Sequence, residues 1–299
     1  MSAVIQPGRT GVGIRPEVKG ATGARLLVRR FLRNRLAVIG LVVIVLFVLF
    51  CFVGPLVYPT DQIHTTLAQA NQGPSGRHPL GTDAVGHDEL GRLMYGGKVS
   101  LIVGLAAGLL ATVIGTLWGA IAGYAGGWVD AVMMRVVDAG IAIPALFILL
   151  VISAISTPTL SGLILILGLV SWLVPSRLIR AETLSLKNRD YVLTLRAIGG
   201  SHSRAITRHV LPNSVSTIVV VATFQVADTI LLVAYVSYLG LGVQAPATDW
   251  GGMLSAGLTA VYSGRWWLIV PPGIAVILVV WAFNAIGDGL RDVFDVRGR

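Results

Sequence analysis

The stretch Tyr191–Asn213, YVLTLRAIGGSHSRAITRHVLPN, is basic, turns on Gly199-Gly200 and ends on Leu211-Pro212-Asn213. Apolar runs long enough to cross a bilayer lie on both sides of it. Of the 299 residues, 55% are hydrophobic and 12% charged, where a soluble protein carries about a quarter charged residues. A soluble globular fold is therefore excluded, and the stretch reads as a small water-facing piece set between membrane spans.

Working outward, a span needs about 20 mostly apolar residues. Leu36–Val57 is uncharged and makes the first, and the uncharged, Gly-rich run between Lys98 and Asp130 gives the second. Ala139–Ser176 is too long for one helix and is divided by Ser156-Thr157-Pro158-Thr159 into a third and a fourth. Asn213–Leu239, interrupted by Asp228, is the fifth, and Trp266–Gly287 the sixth. The first run follows an Arg-rich head and is long enough to be retained as a helix instead of being cleaved as a signal peptide. Cys51, the single cysteine, lies in that run, so neither a disulfide framework nor a cysteine metal site is expected.

Lysines and arginines concentrate on one side of such a six-span chain. The head before Leu36, the turn with Arg135, the connection Arg177–Pro212 and the tail after Asp288 hold 19 of the 23. By the positive-inside rule both termini and the opening stretch face the cytoplasm. The net charge of +9 then reflects topology, and no nucleic-acid partner is expected. The expected organisation is a cytoplasmic basic segment (1–35), a first transmembrane helix (36–57), an extracytoplasmic segment (58–97), a five-helix core (98–289) containing a cytoplasmic loop (177–212), and a cytoplasmic tail (290–299). The head places Arg25, Arg29 and Arg33 on one helical stripe. That suits a helix lying among anionic lipid headgroups, or simply a positive-inside head with no defined helix.

Within the opening stretch, Asp190 suits a helix start, followed by an apolar-rich turn or two through Ile198. Gly199-Gly200 stops it, because glycine accepts the left-handed backbone that closes a helix. Ser201 can cap a second short helix, which carries Arg204, Arg208 and His209 and ends before Pro212; Pro212 fits the first turn of the next span. A DNA-binding helix-turn-helix tethered at both ends to a bilayer has too little core and reach. A plain solvated loop would leave its apolar residues in water. A docking surface for a cytoplasmic partner accommodates both the apolar residues and the arginines.

Enzyme chemistry has few residues to stand on. No G-x-x-x-x-G-K-[ST] phosphate loop, H-E-x-x-H pair or G-x-S-x-G elbow occurs. Serines in apolar runs, such as Ser153 and Ser171, suit helix-to-helix hydrogen bonds.

The stretch resembles the cytoplasmic loop of permease subunits of binding-protein-dependent ABC importers, whose signature runs Glu-Ala-Ala, three residues, Gly, nine residues, Ile, one residue, Leu-Pro. The Gly falls on Gly199 and the Leu-Pro on Leu211-Pro212. His209 takes the Ile position, as in the Arg-His-x-Leu-Pro-Asn form of the peptide-permease branch. Leu193, Thr194 and Leu195 replace Glu-Ala-Ala, so docking should depend more on apolar fit than on a salt bridge. RNRLAVIGLVVI, HPLGTDAVGHDELGRLMYGGKVSLIVG, LGLGVQAPATDWGGML and AFNAIGDGLRDVFDVR resemble further segments of the dipeptide/oligopeptide/nickel permease group, C-type subunit, in the same order. In the second of these, His87 and Gly91 replace the usual Arg and Ser.

The resemblance implies an all-α membrane protein with the type I importer permease fold, paired with a second, homologous permease and with membrane lipid around it. Two ATPase subunits would carry ATP and Mg, this chain binding no cofactor and catalysing nothing itself, and an extracytoplasmic solute-binding protein would deliver peptides or similar small solutes. Coupling to the ATPases would fall on Tyr191, Leu195, Arg196, Ala197, Ile198, Gly199, Arg204, His209, Leu211 and Pro212. A charge at Leu195 or Ile198 is expected to uncouple transport by being buried unpaired.

Asp228 stands about midway along the fifth span, where an ionisable group is expensive. It either faces the pathway and meets a cationic substrate, or bonds a neighbouring helix. Pro144, Pro175 and Pro271-Pro272 are expected to kink or end helices. Gly104, Gly108, Gly115, Gly119 and Gly123 are expected to allow close helix approach. An ion-coupled secondary transporter is the rival function, and it normally carries several membrane-embedded charges where this chain offers Asp228.

Overall fold

The computed structural model describes residues 20–155, 159–197, 199 and 201–295, with backbone alone at 20–25, 153–154, 196–197 and 295. Among these residues the chain is helical without strands; one isolated bridge joins Thr82 and Asp88. A short α1 (Gly20–Phe31) precedes α2 (Arg35–Phe52) and the single turn α3 (Gly54–Val57). The long α4 (Glu89–Ala125) is followed by α5 (Gly127–Ala142), α6 (Ala145–Ile155), α7 (Leu160–Ser171) and α8 (Leu173–Leu186). Then come α9 (Asp190–Ala197), α10 (His202–Ala205), a π turn Ile206–Val210 and α11 (Leu211–Asn213). α12 (Val215–Tyr238), α13 (Trp250–Gly257) and α14 (Val270–Asp295) complete the chain.

Among the described residues four helices are long and apolar enough to cross a membrane, and six spans result if the bent pairs α5/α6 and α7/α8 each count as one. The bends are 76° and 45°. Pro144 sits at the first, where its missing N–H ends α5; Pro175 lies in the first turn of α8, just past the second. Pro271 and Pro272 occupy the first turn of α14, where they leave no helical bond unmade.

α4 is the axis of the bundle and packs on α2, α7, α8 and α12. Its 37 residues make a rod of about 55 Å, well beyond the roughly 30 Å of hydrocarbon. The helix starts nine residues before the expected span because Asp88 caps it, its carboxylate accepting the Gly91 N–H at 2.9 Å. Its glycines face two partners. Gly104 and Gly108 meet Ile230, Val226 and Thr229 of α12, and the Thr229 hydroxyl donates to the Gly104 carbonyl at 2.7 Å. Gly115, Gly119 and Gly123 meet Pro175, Ser176, Arg180 and Thr183 of α8. A Cβ at Gly108 would stand 2.9 Å from the Val226 Cα, so any side chain there would push the helices apart. This is the packing of small residues that holds helices together in lipid.

Candidate functional site

The connection between α8 and α12 folds back on the end of α4. Val192, Ala205 and Val210 are wholly buried in a cluster with the buried Leu186 and Tyr124, and Leu195 and Ile206 pack against them. Tyr124 comes from the last turn of α4, so the connection is fixed to the bundle's axis. His202 stands edge-on to the Tyr124 ring, 5.5 Å between centroids, and the Lys187 ammonium donates to the Gly123 carbonyl at 2.9 Å.

Turn chemistry shapes the unit. Gly199 has φ +79, which a side chain would resist. The Ser201 hydroxyl caps α10, accepting the Arg204 N–H at 3.3 Å. The second helix does not end before Pro212 as expected but runs on through the π turn. Pro212 has no N–H to offer the Arg208 carbonyl, and the register slips so that the Leu211 N–H bonds the Ile206 carbonyl, five residues back. Pro212 thus sits inside a continuous helical stretch, one turn before α12.

The sequence-predicted coupling residues divide into two faces. Leu195 points into the chain's own apolar cluster, and His209 is half-buried beside the Tyr191 ring at 6.1 Å. Tyr191 (42% exposed) and Arg204 face outward, and Leu211 is half-buried. Arg196 and Ala197 are described by backbone alone, as the end of α9, and Ile198 lies outside the described residues. Leu193, not among the predicted residues, is 46% exposed and stands on the outward face, as does Arg208. A charge at Leu195 would therefore strike this chain's own packing first, which alters the expectation that it would act on docking alone.

Behind this unit the reading of spans missed two ion pairs. Arg180 of α8 grips Asp130 of α5 through both carboxylate oxygens at 2.5 Å, and Arg177 meets Asp138 at 2.6 Å. Bidentate pairing of this kind fixes orientation as well as distance. The acid and base are 50 residues apart, so no spacing signal marks them.

At mid-depth, Asp228 is the fourteenth of the 24 residues of α12. It opens on a cavity of about 390 Å³ walled by α12 and by both helix breaks, through Gly140, Ile143 and Pro144 on one side and Ser171 and Leu173 on the other. Among the described residues its carboxylate has no hydrogen-bond partner.

The other end of α4 carries a dense polar cap. Asp88, besides capping α4, accepts the Tyr58 hydroxyl and pairs with His78 Nδ1, each at 2.9 Å. Burial, aided by this carboxylate, pushes the Tyr58 phenol up to about 12. Arg92 donates to His87 Nδ1 at 2.8 Å and pairs with Asp83 at 3.4 Å. Arg265 and Trp267 reach across to Asn71 and to the Thr82 carbonyl. Trp250, wholly buried, donates its indole N–H to the Leu93 carbonyl at 3.0 Å and its backbone N–H to Ser100 at 3.1 Å.

Comparison with known proteins agrees with this architecture. Residues 115–299 match the family described as binding-protein-dependent transport system inner membrane component, and residues 24–74 match the N-terminal TM domain of oligopeptide transport permease C. A relative from Brucella suis biovar 1 (strain 1330) is 44% identical over 269 residues, covering 90% of this chain and 89% of its own. The oligopeptide transport system permease protein OppC of Escherichia coli (strain K12) is 39% identical over 285 residues, covering 95% and 94%. The dipeptide transport system permease protein DppC of Bacillus subtilis (strain 168) is 35% identical over 271 residues, covering 91% and 85%. The chain therefore belongs to the family of inner membrane components of binding-protein-dependent transport systems.

Proposed function

We propose that this chain is one permease of an ATP-driven importer of di- or oligopeptides or similar small solutes. A second, homologous permease completes the pathway, an extracytoplasmic solute-binding protein supplies the substrate, and two ATPase subunits bind and hydrolyse ATP with Mg. The names of the relatives support the peptide substrate. The placing of 19 of the 23 lysines and arginines supports cytoplasmic termini.

The observation that carries the coupling role is the two-faced α9–α10 unit. One face, through Val192, Leu195, Ala205 and Val210, is locked to Tyr124 at the end of the bundle's axis. The other presents Tyr191 and Leu193 beside Arg204 and Arg208. Apolar anchors with a basic rim suit a groove on a partner, and the locked face would transmit the partner's movement to α4 and α8 as a rigid body.

Two neighbouring substitutions separate docking from folding. Leu193→Asp should leave the chain's own stability within about 0.5 kcal/mol and reduce ATP-driven peptide uptake by at least about tenfold, because a charge enters the groove unpaired. Leu195→Asp should instead lower the yield of folded chain. Wild-type uptake by the Leu193→Asp importer would sink the docking role.

A further inference from the structure

We propose that the Asp228 cavity is a recognition subsite for the protonated amino end of the transported solute, a deepening that depends on the peptide-import reading above. Three independent features meet there. Asp228 places a carboxylate at mid-span without a hydrogen-bond partner among the described residues, in a cavity of about 390 Å³. No lysine or arginine lines that cavity, so no cation among its described walls neutralises the carboxylate. Such a charge is expensive in a membrane and persists where it serves a pathway.

Second, both broken helix pairs, α5/α6 at Pro144 and α7/α8 at Trp172, break beside this carboxylate and not elsewhere along their length. A broken helix leaves carbonyls of its last turn and N–H groups of its next first turn without intrahelical partners. At membrane depth such backbone is tolerated where it lines a cavity. Because each break joins a C-terminal end to an N-terminal end, their partial charges largely offset one another, and Asp228 sets the net sign. Third, the Ser171 hydroxyl, at the second break and in the cavity wall, is buried without a partner among the described residues. The cavity therefore offers one anion for an ammonium, with acceptors and donors around it suited to a peptide unit. Gln225, one turn before Asp228 and also in the wall, adds an amide of the same kind.

A solute with a free amino end fits this arrangement, and an N-acylated one leaves the carboxylate unmatched. The test uses the whole importer in proteoliposomes, with the solute-binding protein saturated by trialanine or by N-acetyl-trialanine, so that its own selectivity drops out. The wild type should take up the free-amine peptide at least about tenfold faster, the worth of one charge-assisted hydrogen bond. Asp228→Asn, which keeps the shape, should abolish that preference, and Asp228→Glu should retain most of it. An unchanged preference in Asp228→Asn overturns the subsite. Failure of that variant to co-purify with the second permease also overturns it, assigning the charge to the contact between permeases. If the wild type imports neither peptide, the peptide reading fails and the subsite with it, an outcome distinct from the other two.

Discussion

Trp250 and Leu193 are large apolar side chains held outside the long apolar helices, at opposite ends of α4. Trp250 is wholly buried and Leu193 is 46% exposed. Around Trp250 the cap is closed on itself. Its indole and backbone N–H groups are both satisfied, Phe47 packs edge-on at 5.7 Å, and Cys51, Met253 and buried residues of α4, α12 and α14 share its cluster. Around Leu193 only one side of the α9–α10 unit is closed, by the Tyr124 cluster. The other side carries apolar and basic groups to the surface, which a segment facing water alone would not keep together. The side chains around Trp250 serve the chain's own stability, whereas the coupling unit leaves half of its own for something outside the chain.

If that contrast is right, the heaviest loss of stability comes from the cap. Trp250→Ala removes a filled volume and the indole's hydrogen bond to the Leu93 carbonyl, and should cost about 3–5 kcal/mol. The measurement is thermal unfolding of the purified chain in detergent, followed by tryptophan-independent circular dichroism. A loss below about 1 kcal/mol would mean that the cap is not self-contained and that the comparison fails at its stronger end.

Asp88→Ala comes next. It removes the cap of α4 and the acceptor for Tyr58 and His78, for an expected loss of about 2 kcal/mol. Amide exchange should quicken at Gly91 and across residues 58–88, and not in the α9–α10 unit at the far end of α4. A pH effect sharpens the assignment. The Tyr58 phenol is raised from 10.0 to about 12, so the fold favours its neutral form. The stability it contributes is fully present below pH 10 and is lost as the pH rises through 12. In Asp88→Ala an absorbance titration should place the phenol below 12, with the rest of the rise, which comes from burial, retained.

How much of this could be read from sequence depends on the range of the interaction responsible. The Gly199 turn and the Ser201 cap are set by residues within a turn of one another, and these were legible. So was the close approach along α4, because glycines at four-residue spacing fall on one helical face. The start of α4 was not, since Asp88 lies in a polar segment where only the half-buried partners Tyr58 and His78 distinguish it from any other aspartate. Neither was the inward turn of Leu195 and the outward turn of Leu193, because the ring that decides it, Tyr124, is about 70 residues away in the chain. The breaks gathered at Asp228 depend on three elements packing together. Pro144 announced a kink, but nothing local to it announced its neighbour.

The smallest expected effect belongs to the coupling unit. Gly199 has φ +79, and a Cβ built there meets nothing within 4 Å. Gly199→Ala should therefore cost only the left-handed strain of an L-residue, about 1 kcal/mol, with no steric term. At Gly108 the same added methyl meets the Val226 Cα at 2.9 Å and must separate two helices. Thermal unfolding of the pair should show Gly108→Ala destabilised several-fold more than Gly199→Ala. Because the strain of Gly199→Ala falls in the turn joining α9 to α10, its effect should be larger on ATP-driven uptake than on the stability of the isolated chain. A turn that serves only to connect would show the reverse. If Gly199→Ala destabilised the chain as much as Gly108→Ala, the unit would be packed throughout like the cap, and its outward face would have no partner to explain it.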